Sequence, residues 1–345
     1  MKKLIVINSL VFICLYLILE IISGSSIYKQ KLDCHYLHCN RTYVYENIFT
    51  NNEKIIYKRD KYGFKGSNNN LSKIDLLTVG GSTTDQKFIN LGDTWPKLVE
   101  KKFKEIGKNI NVVNAGLGGQ STVGHIWNFK NWFSKLKIFK TDYIIFFIGI
   151  NDNDQKTYMN ISKYDHGKIK TKNILDKLIV LLKENNGITY KFVKFFYKKH
   201  FLKNKQIFSY EEKNKDDYQK IEKMLSLTKV HEVNLYNNLQ ELAKLSSKIN
   251  AIPIFITQKS LRGNIINSTV VSMDNIDYHH SEIEIAKLII SFCKENNIFC
   301  IDLHSKIKFE YDDFYDLVHT TKKGTKKIAE LIFFEMNNHN PNLFE

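Results

Sequence analysis

Apolar residues recur along this chain as short blocks set between longer stretches of helical spacing. Ile74–Val79 is such a block and runs into Gly80-Gly81, the pattern of a buried strand with a sharp exit. Thr94–Ile106 has the spacing of an amphipathic helix. Ile110–Val113 reads as a second strand ending at Asn114, and the aromatic-rich stretch Thr122–Leu136 as a helix. Tyr143–Ile148, ending at Gly149, is a third strand, and Ala251–Thr257 and Ile298–Leu303 are the fourth and fifth. Helical patterns fill 215–250, 281–296 and 321–338. Strands alternating with helices predict an α/β fold. The expected form is a three-layer α/β/α sandwich around a mainly parallel five-stranded sheet. In such sheets ligands sit beyond the carboxyl ends of the strands. Residues 155–214 break the rhythm and read as an insertion or cap.

The first 26 residues follow a different pattern. Lys2 and Lys3 precede an apolar run, Leu4–Ile22, broken only by Asn8, Ser9 and Glu20. A helix needs about 20 apolar residues to cross hydrocarbon, and the two lysines keep the N-terminus inside. An uncleaved, single-pass transmembrane anchor is expected, with the body of the chain exported. A cleaved signal peptide is the rival, because Ser23, Gly24, Ser25 and Ser26 follow the run, although the run is long for a signal. Residues 27–70 form an irregular lead-in with short extended pieces. Residues 71–345 make up the main domain.

Composition narrows the function classes. Of 345 residues, 43% are hydrophobic and 25% charged, which fits a sizeable core and excludes wholesale disorder. The formal net charge of +15 has two readings: attraction to an anionic partner, or a bias toward Lys, Asn and Ile across the whole chain. The usual nucleic-acid motifs do not occur, so no nucleic-acid partner is expected. Cys34 and Cys39 flank His35 and His38, and a local disulfide, free thiols and a zinc site all stand as readings. Cys293 and Cys300 are expected as buried small apolar residues.

Four polar clusters each follow a strand or precede the last helix. Gly80-Gly81-Ser82-Thr83-Thr84-Asp85 leaves a serine hydroxyl at a strand end. It is not the Gly-x-Ser-x-Gly elbow, because Thr84 stands where the last glycine is needed. Asn114-Ala115-Gly116-Leu117-Gly118-Gly119-Gln120-Ser121 offers backbone N–H groups to an oxyanion, and Gly149-Ile150-Asn151-Asp152 offers a side-chain amide. Asp316-Leu317-Val318-His319 spaces a carboxylate to fix the tautomer of an imidazole whose other nitrogen takes a serine proton. Singly, each is an ordinary turn or loop. Asp85, Gln86 and Asp152 lie near the crevice and have two candidate roles, holding loops or lining the substrate. Gln258, after the fourth strand, is a further lining candidate, and His125 reads as a packing or capping histidine.

Taken in order, the four clusters resemble the sequence blocks of the SGNH (GDSL-type) hydrolase superfamily, with Ser82, Gly119, Asn151 and His319 at the named positions. The first block departs from Gly-Asp-Ser-Leu, with Gly81 for Asp and Thr83 for Leu. Gly-Gly-Ser forms are similar to a membrane-anchored, surface-glycan-associated branch. The resemblance covers roughly residues 74–152 and 298–338. It implies a flavodoxin-like sheet, Ser82 as nucleophile, His319 as general base and Asp316 as the orienting acid. It implies an oxyanion hole from the N–H groups of Ser82 and Gly119, with Gly118 the neighbouring alternative, and the Asn151 amide. No metal and no cofactor are implied. The expected reaction is ester hydrolysis or acyl transfer on O-acyl groups of an envelope polysaccharide. Two other readings stand. The Phe- and Lys-rich stretch Tyr190–Leu202 fits a lipid esterase at the membrane surface or a cap helix packed on its own domain. The fold would also serve a non-catalytic binding protein.

Overall fold

A computed structural model of the chain describes residues 37–46, 54–68, 70–136, 139–152, 229–261, 265–266, 269–270, 276–316 and 318–344, with isolated positions between 8 and 19. The main sheet has five parallel strands among the described residues: β3 (Ile74–Gly80), β4 (Val112–Asn114), β5 (Thr141–Ile148), β6 (Ile252–Thr257) and β7 (Cys300–Ile301), in the order β4-β3-β5-β6-β7. β3 and β5 lie at its centre and read as near-continuous apolar runs because both of their faces are covered.

Two cores, one on each face, make the three layers. On one face Leu76, Ile145, Phe147, Ile254 and Ile256 meet Trp95, Val99 and Phe103 of helix α2 (Trp95–Glu105) and Ile328, Ile332 and Met336 of α7 (Lys322–His339). On the other, Leu77, Val79, Ile144, Phe146 and Phe255 meet α3 (Thr122–Asn131), α4 (Lys229–Lys248) and α5 (Ile276–Glu295).

Several boundaries differ from the sequence reading. The second strand is Val112–Asn114, because Asn111 turns its amide N–H to the Asp75 carboxylate. The fifth is only Cys300–Ile301, since the Asp302 side chain caps a short helix, α6 (Leu303–Lys306). The aromatic helix ends at Asn131 and tightens into a turn, Phe133–Lys135. The insertion at 155–214 lies outside the described residues.

The lead-in is more regular than expected. β1 (Arg41–Glu46) and β2 (Lys54–Arg59) pair antiparallel, with Ile55, Tyr57 and Arg59 turned inward. The chain then runs along the open edge of the main sheet, where Lys65 N donates to Asn114 O at 2.9 Å. Phe64 is fully buried against Trp132.

The cysteines bring a correction. Cys293 and Cys300 are not separate apolar fillers but a disulfide with a Cα–Cα distance of 6.2 Å. The turn between α5 and β7 brings them within ordinary bridging distance. Cys39 is also disulfide-bonded, while Cys34 lies outside the described residues. Among the described residues no helix is long and apolar enough to cross a membrane. The predicted anchor, residues 1–26, lies largely outside them; its described positions are helical, and Phe12 is 71% exposed.

Candidate active site

Ser82 opens a single helical turn, α1 (Ser82–Asp85), directly after β3. The two glycines before it are demanded by space. A Cβ on Gly80 would lie 2.1 Å from Thr84 Oγ1, and one on Gly81 would lie 2.2 Å from Asn151 Nδ2. Gly81, the departure from the common motif, thus lets the Asn151 amide rest against the backbone next to Ser82.

The Ser82 hydroxyl meets the other end of the sequence. Its Oγ is 2.7 Å from His319 Nε2, and His319 Nδ1 is 2.7 Å from Asp316 Oδ2. The other Asp316 oxygen accepts from the N–H groups of Val318 at 2.8 Å and His319 at 2.7 Å. Burial alone would raise the Asp316 carboxyl, but the bonds from the His319 ring and from these N–H groups outweigh it and hold it below its ordinary value. The Tyr315 ring stacks on the His319 ring at 5.6 Å.

Asn151 sits in a turn, Ile150–Asp152, after β5, and its Nδ2 donates to Gln120 O at 2.7 Å. An amide nitrogen carries two hydrogens, so this bond leaves one available. Gly118 and Gly119 are exposed in the turn after β4, Gly119 with φ +77°, a conformation that favours glycine. The bond from Leu117 N to Gly80 O, 3.0 Å, draws that turn alongside the end of β3.

The four lining candidates are engaged within the protein. Asp85 accepts from Arg59 Nη2 at 2.7 Å and from the Tyr57 hydroxyl at 2.9 Å. Gln86 accepts from Trp95 N and donates to Thr325 Oγ1. Gln258 accepts from Ile150 N and donates to Thr83 Oγ1, tying the ends of β3 and β5 together. Asp152 accepts from the N–H and hydroxyl of Thr122, and burial pushes its carboxyl up to about 6 despite those bonds. All four side chains are buried. His125 is a buried packing histidine, pushed down to about 3 by burial.

Sequence reasoning missed three residues of the lead-in. Lys65 Nζ reaches the carbonyl oxygens of Asp85, Gln86 and Ile89 at 2.6, 2.7 and 3.2 Å. Burial lowers its pKa to about 8. Arg59 Nε donates to the Tyr57 hydroxyl, and Arg59 Nη2 also reaches Gly116 O. The alternation of Ile55, Tyr57 and Arg59 was a signal for a strand; nothing in it pointed to Asp85, 26 residues on.

Among the described residues, Glu310, Asp312 and Asp313 offer oxygens within 4.8 Å of one another. Lys323 and Lys327 already sit on these carboxylates, Lys323 2.8 Å from Asp312 and Lys327 2.7 Å from Asp313, so ammonium groups hold the places a cation would take.

No protein-family model matches the chain, and no curated protein matches it. Among solved structures it is similar to a lipolytic protein of the G-D-S-L family from Veillonella parvula, at 14% identity over 76% of this chain and 97% of that one, with a TM-score of 0.42. It is similar to the acetylxylan esterase Axe2 from Geobacillus stearothermophilus, at 16% identity over 76% and 94% of the two chains, with a TM-score of 0.44. TesA matches at 12% identity over 76% and 98%, also with a TM-score of 0.44.

Proposed function

We propose that this chain is an SGNH-type serine enzyme that hydrolyses or transfers an ester-linked acyl group, acting outside the membrane on O-acyl groups of an envelope polysaccharide. The observation that carries this is the line of bonds from Asp316 through both nitrogens of His319 to Ser82 Oγ, each link 2.7 Å. In this arrangement Asp316 holds the proton on Nδ1, so Nε2 accepts the serine proton as Oγ attacks the carbonyl. The Ser82 N–H, the Gly119 N–H and the second Asn151 N–H stabilise the oxyanion. His319 returns its proton to the leaving alcohol, and water or a sugar hydroxyl then resolves the acyl-enzyme.

The envelope location rests on Lys2, Lys3 and the apolar run that follows them. The polysaccharide rests on that location and on the Gly-Gly-Ser form of the first block. A fluorophosphonate probe tests the chemistry. Intact protein gains one adduct, mapped to Ser82, and the Ser82→Ala and His319→Ala proteins gain none. Labelling that persists in Ser82→Ala, or a folded wild type that takes no label and hydrolyses no acetate ester, would favour a binding protein on the same fold.

A further inference from the structure

A row of aromatic rings starts at His319 and runs away from it to the lead-in. The Tyr315 ring is stacked on the His319 ring with an offset, the centroids 5.6 Å apart and the planes 12° from parallel. Phe88 meets Tyr315 edge to face at 6.2 Å, and Tyr45 of β1 meets Phe88 edge to face at 5.3 Å. Tyr43 continues the row beside Tyr45 at 6.1 Å. All four rings are half-buried. Exposed Lys87 stands over two of them, 4.8 Å from the Tyr45 centroid and 5.3 Å from that of Phe88. The row joins the lead-in, the loop after the nucleophile and the base loop.

Its position decides which half of an ester it would meet. Resting on the proposed serine mechanism, the Ser82 Oγ–acyl bond forms as the bond from carbonyl carbon to alcohol oxygen breaks. The proton taken from Ser82 passes through His319 Nε2 to that departing oxygen. The alcohol half therefore leaves from beside His319, while the carbonyl oxygen turns toward the Asn151 amide.

We infer that Tyr45, Phe88, Tyr315 and Lys87 form the binding site for the alcohol half of the ester, and that this alcohol is a sugar ring. Tyrosines present an apolar face to the C–H face of a sugar and a hydroxyl at the edge for its polar groups. Lys87 adds a donor and a positive charge above those faces.

The test compares esters that share acetate and differ in the alcohol: ethyl acetate, hexyl acetate, and a panel of mono-O-acetylated methyl hexosides, neutral and uronic. The wild type is expected to favour at least one hexoside over hexyl acetate in kcat/KM. Tyr45→Ala should reduce that preference by about fivefold, the loss expected for one aromatic contact, and Tyr45→Phe should recover most of it. Calorimetric titration of the Ser82→Ala protein with the preferred hexoside gives an independent reading, with affinity lost in the Ser82→Ala/Tyr45→Ala double variant. Preference for hexyl acetate, a hexoside preference unmoved by Tyr45→Ala, or equal losses on every ester would overturn the inference. If the wild type cleaves no ester and Ser82 takes no label, the serine mechanism fails instead. The titration, run on the panel, then decides the sugar site alone.

Discussion

The two loops that meet at the Ser82–His319 bond are built in opposite ways. Behind Ser82 the charges are buried: the side chains of Arg59 and Asp85 are 1% and 9% exposed, and Lys65 binds the carbonyl oxygens of Asp85, Gln86 and Ile89. The base loop is open, with His319 29% and Asp316 19% exposed, and its local bonds come mostly from within residues 313–321. Charge buried in low dielectric fixes geometry strongly but leaves an isolated ion at high cost if one partner goes. A part-exposed loop is easier to displace and less costly to alter. Ser82 is thus held by buried charge and tertiary bonds, while His319 is held mostly by short-range bonds of its own loop.

The comparison predicts that damage to the base loop shows in activity and damage behind the nucleophile shows in stability. The largest effect is expected from Asp316→Asn, which keeps the shape but withdraws the charge that orients His319. Turnover of an acetate ester should fall by about 10⁴, while the melting temperature shifts by only about 2–4 °C. A loss of less than tenfold would mean that Asp316 does not orient the base. Next comes Arg59→Met, which strands the Asp85 carboxylate in the interior. Chemical denaturation should show a loss of about 3–5 kcal/mol. Adding Asp85→Asn should return part of it, because the amide no longer needs a countercharge and still accepts from Tyr57. If Arg59→Met proves neutral, the buried pair does not hold the nucleophile turn.

How much of this was legible in the sequence follows the same division. The layers were readable because buried parallel strands such as Tyr143–Ile148 are apolar on both faces. The candidate site was readable because Ser82, Asn151 and His319 each stand just after a strand or before a helix. What sequence did not reveal is tertiary. The bond from Arg59 to Asp85 and the Lys65 cradle join segments with no local pattern relating them. The pairing of Cys293 with Cys300 depended on how tightly the turn between them closes. Gly81 read as a flexible turn residue, whereas its role is to admit the Asn151 amide, a neighbour 70 positions away by subtraction.

The smallest predicted effect concerns Asp152, on the buried side of the comparison beside Asn151. Burial raises its carboxyl from an ordinary 3.8 to about 6, so between those values the folded protein holds a proton that the unfolded chain has released. The folded state then binds more protons, and stability falls as pH rises through that window, levelling off above it. The total is on the order of 2–3 kcal/mol. Asp152→Asn copies the protonated form and still accepts from Thr122. In melting curves the variant and the parent should coincide near the bottom of the window, and the variant should melt several degrees higher at neutral pH. Asp316 has the opposite sign: its lowered carboxyl contributes stability above the ordinary value, lost only as pH falls below it. Asp152 and Asp316 therefore respond in separate pH ranges. A variant that melts lower than the parent at neutral pH would show that the ionised Asp152 carboxylate is what the turn requires.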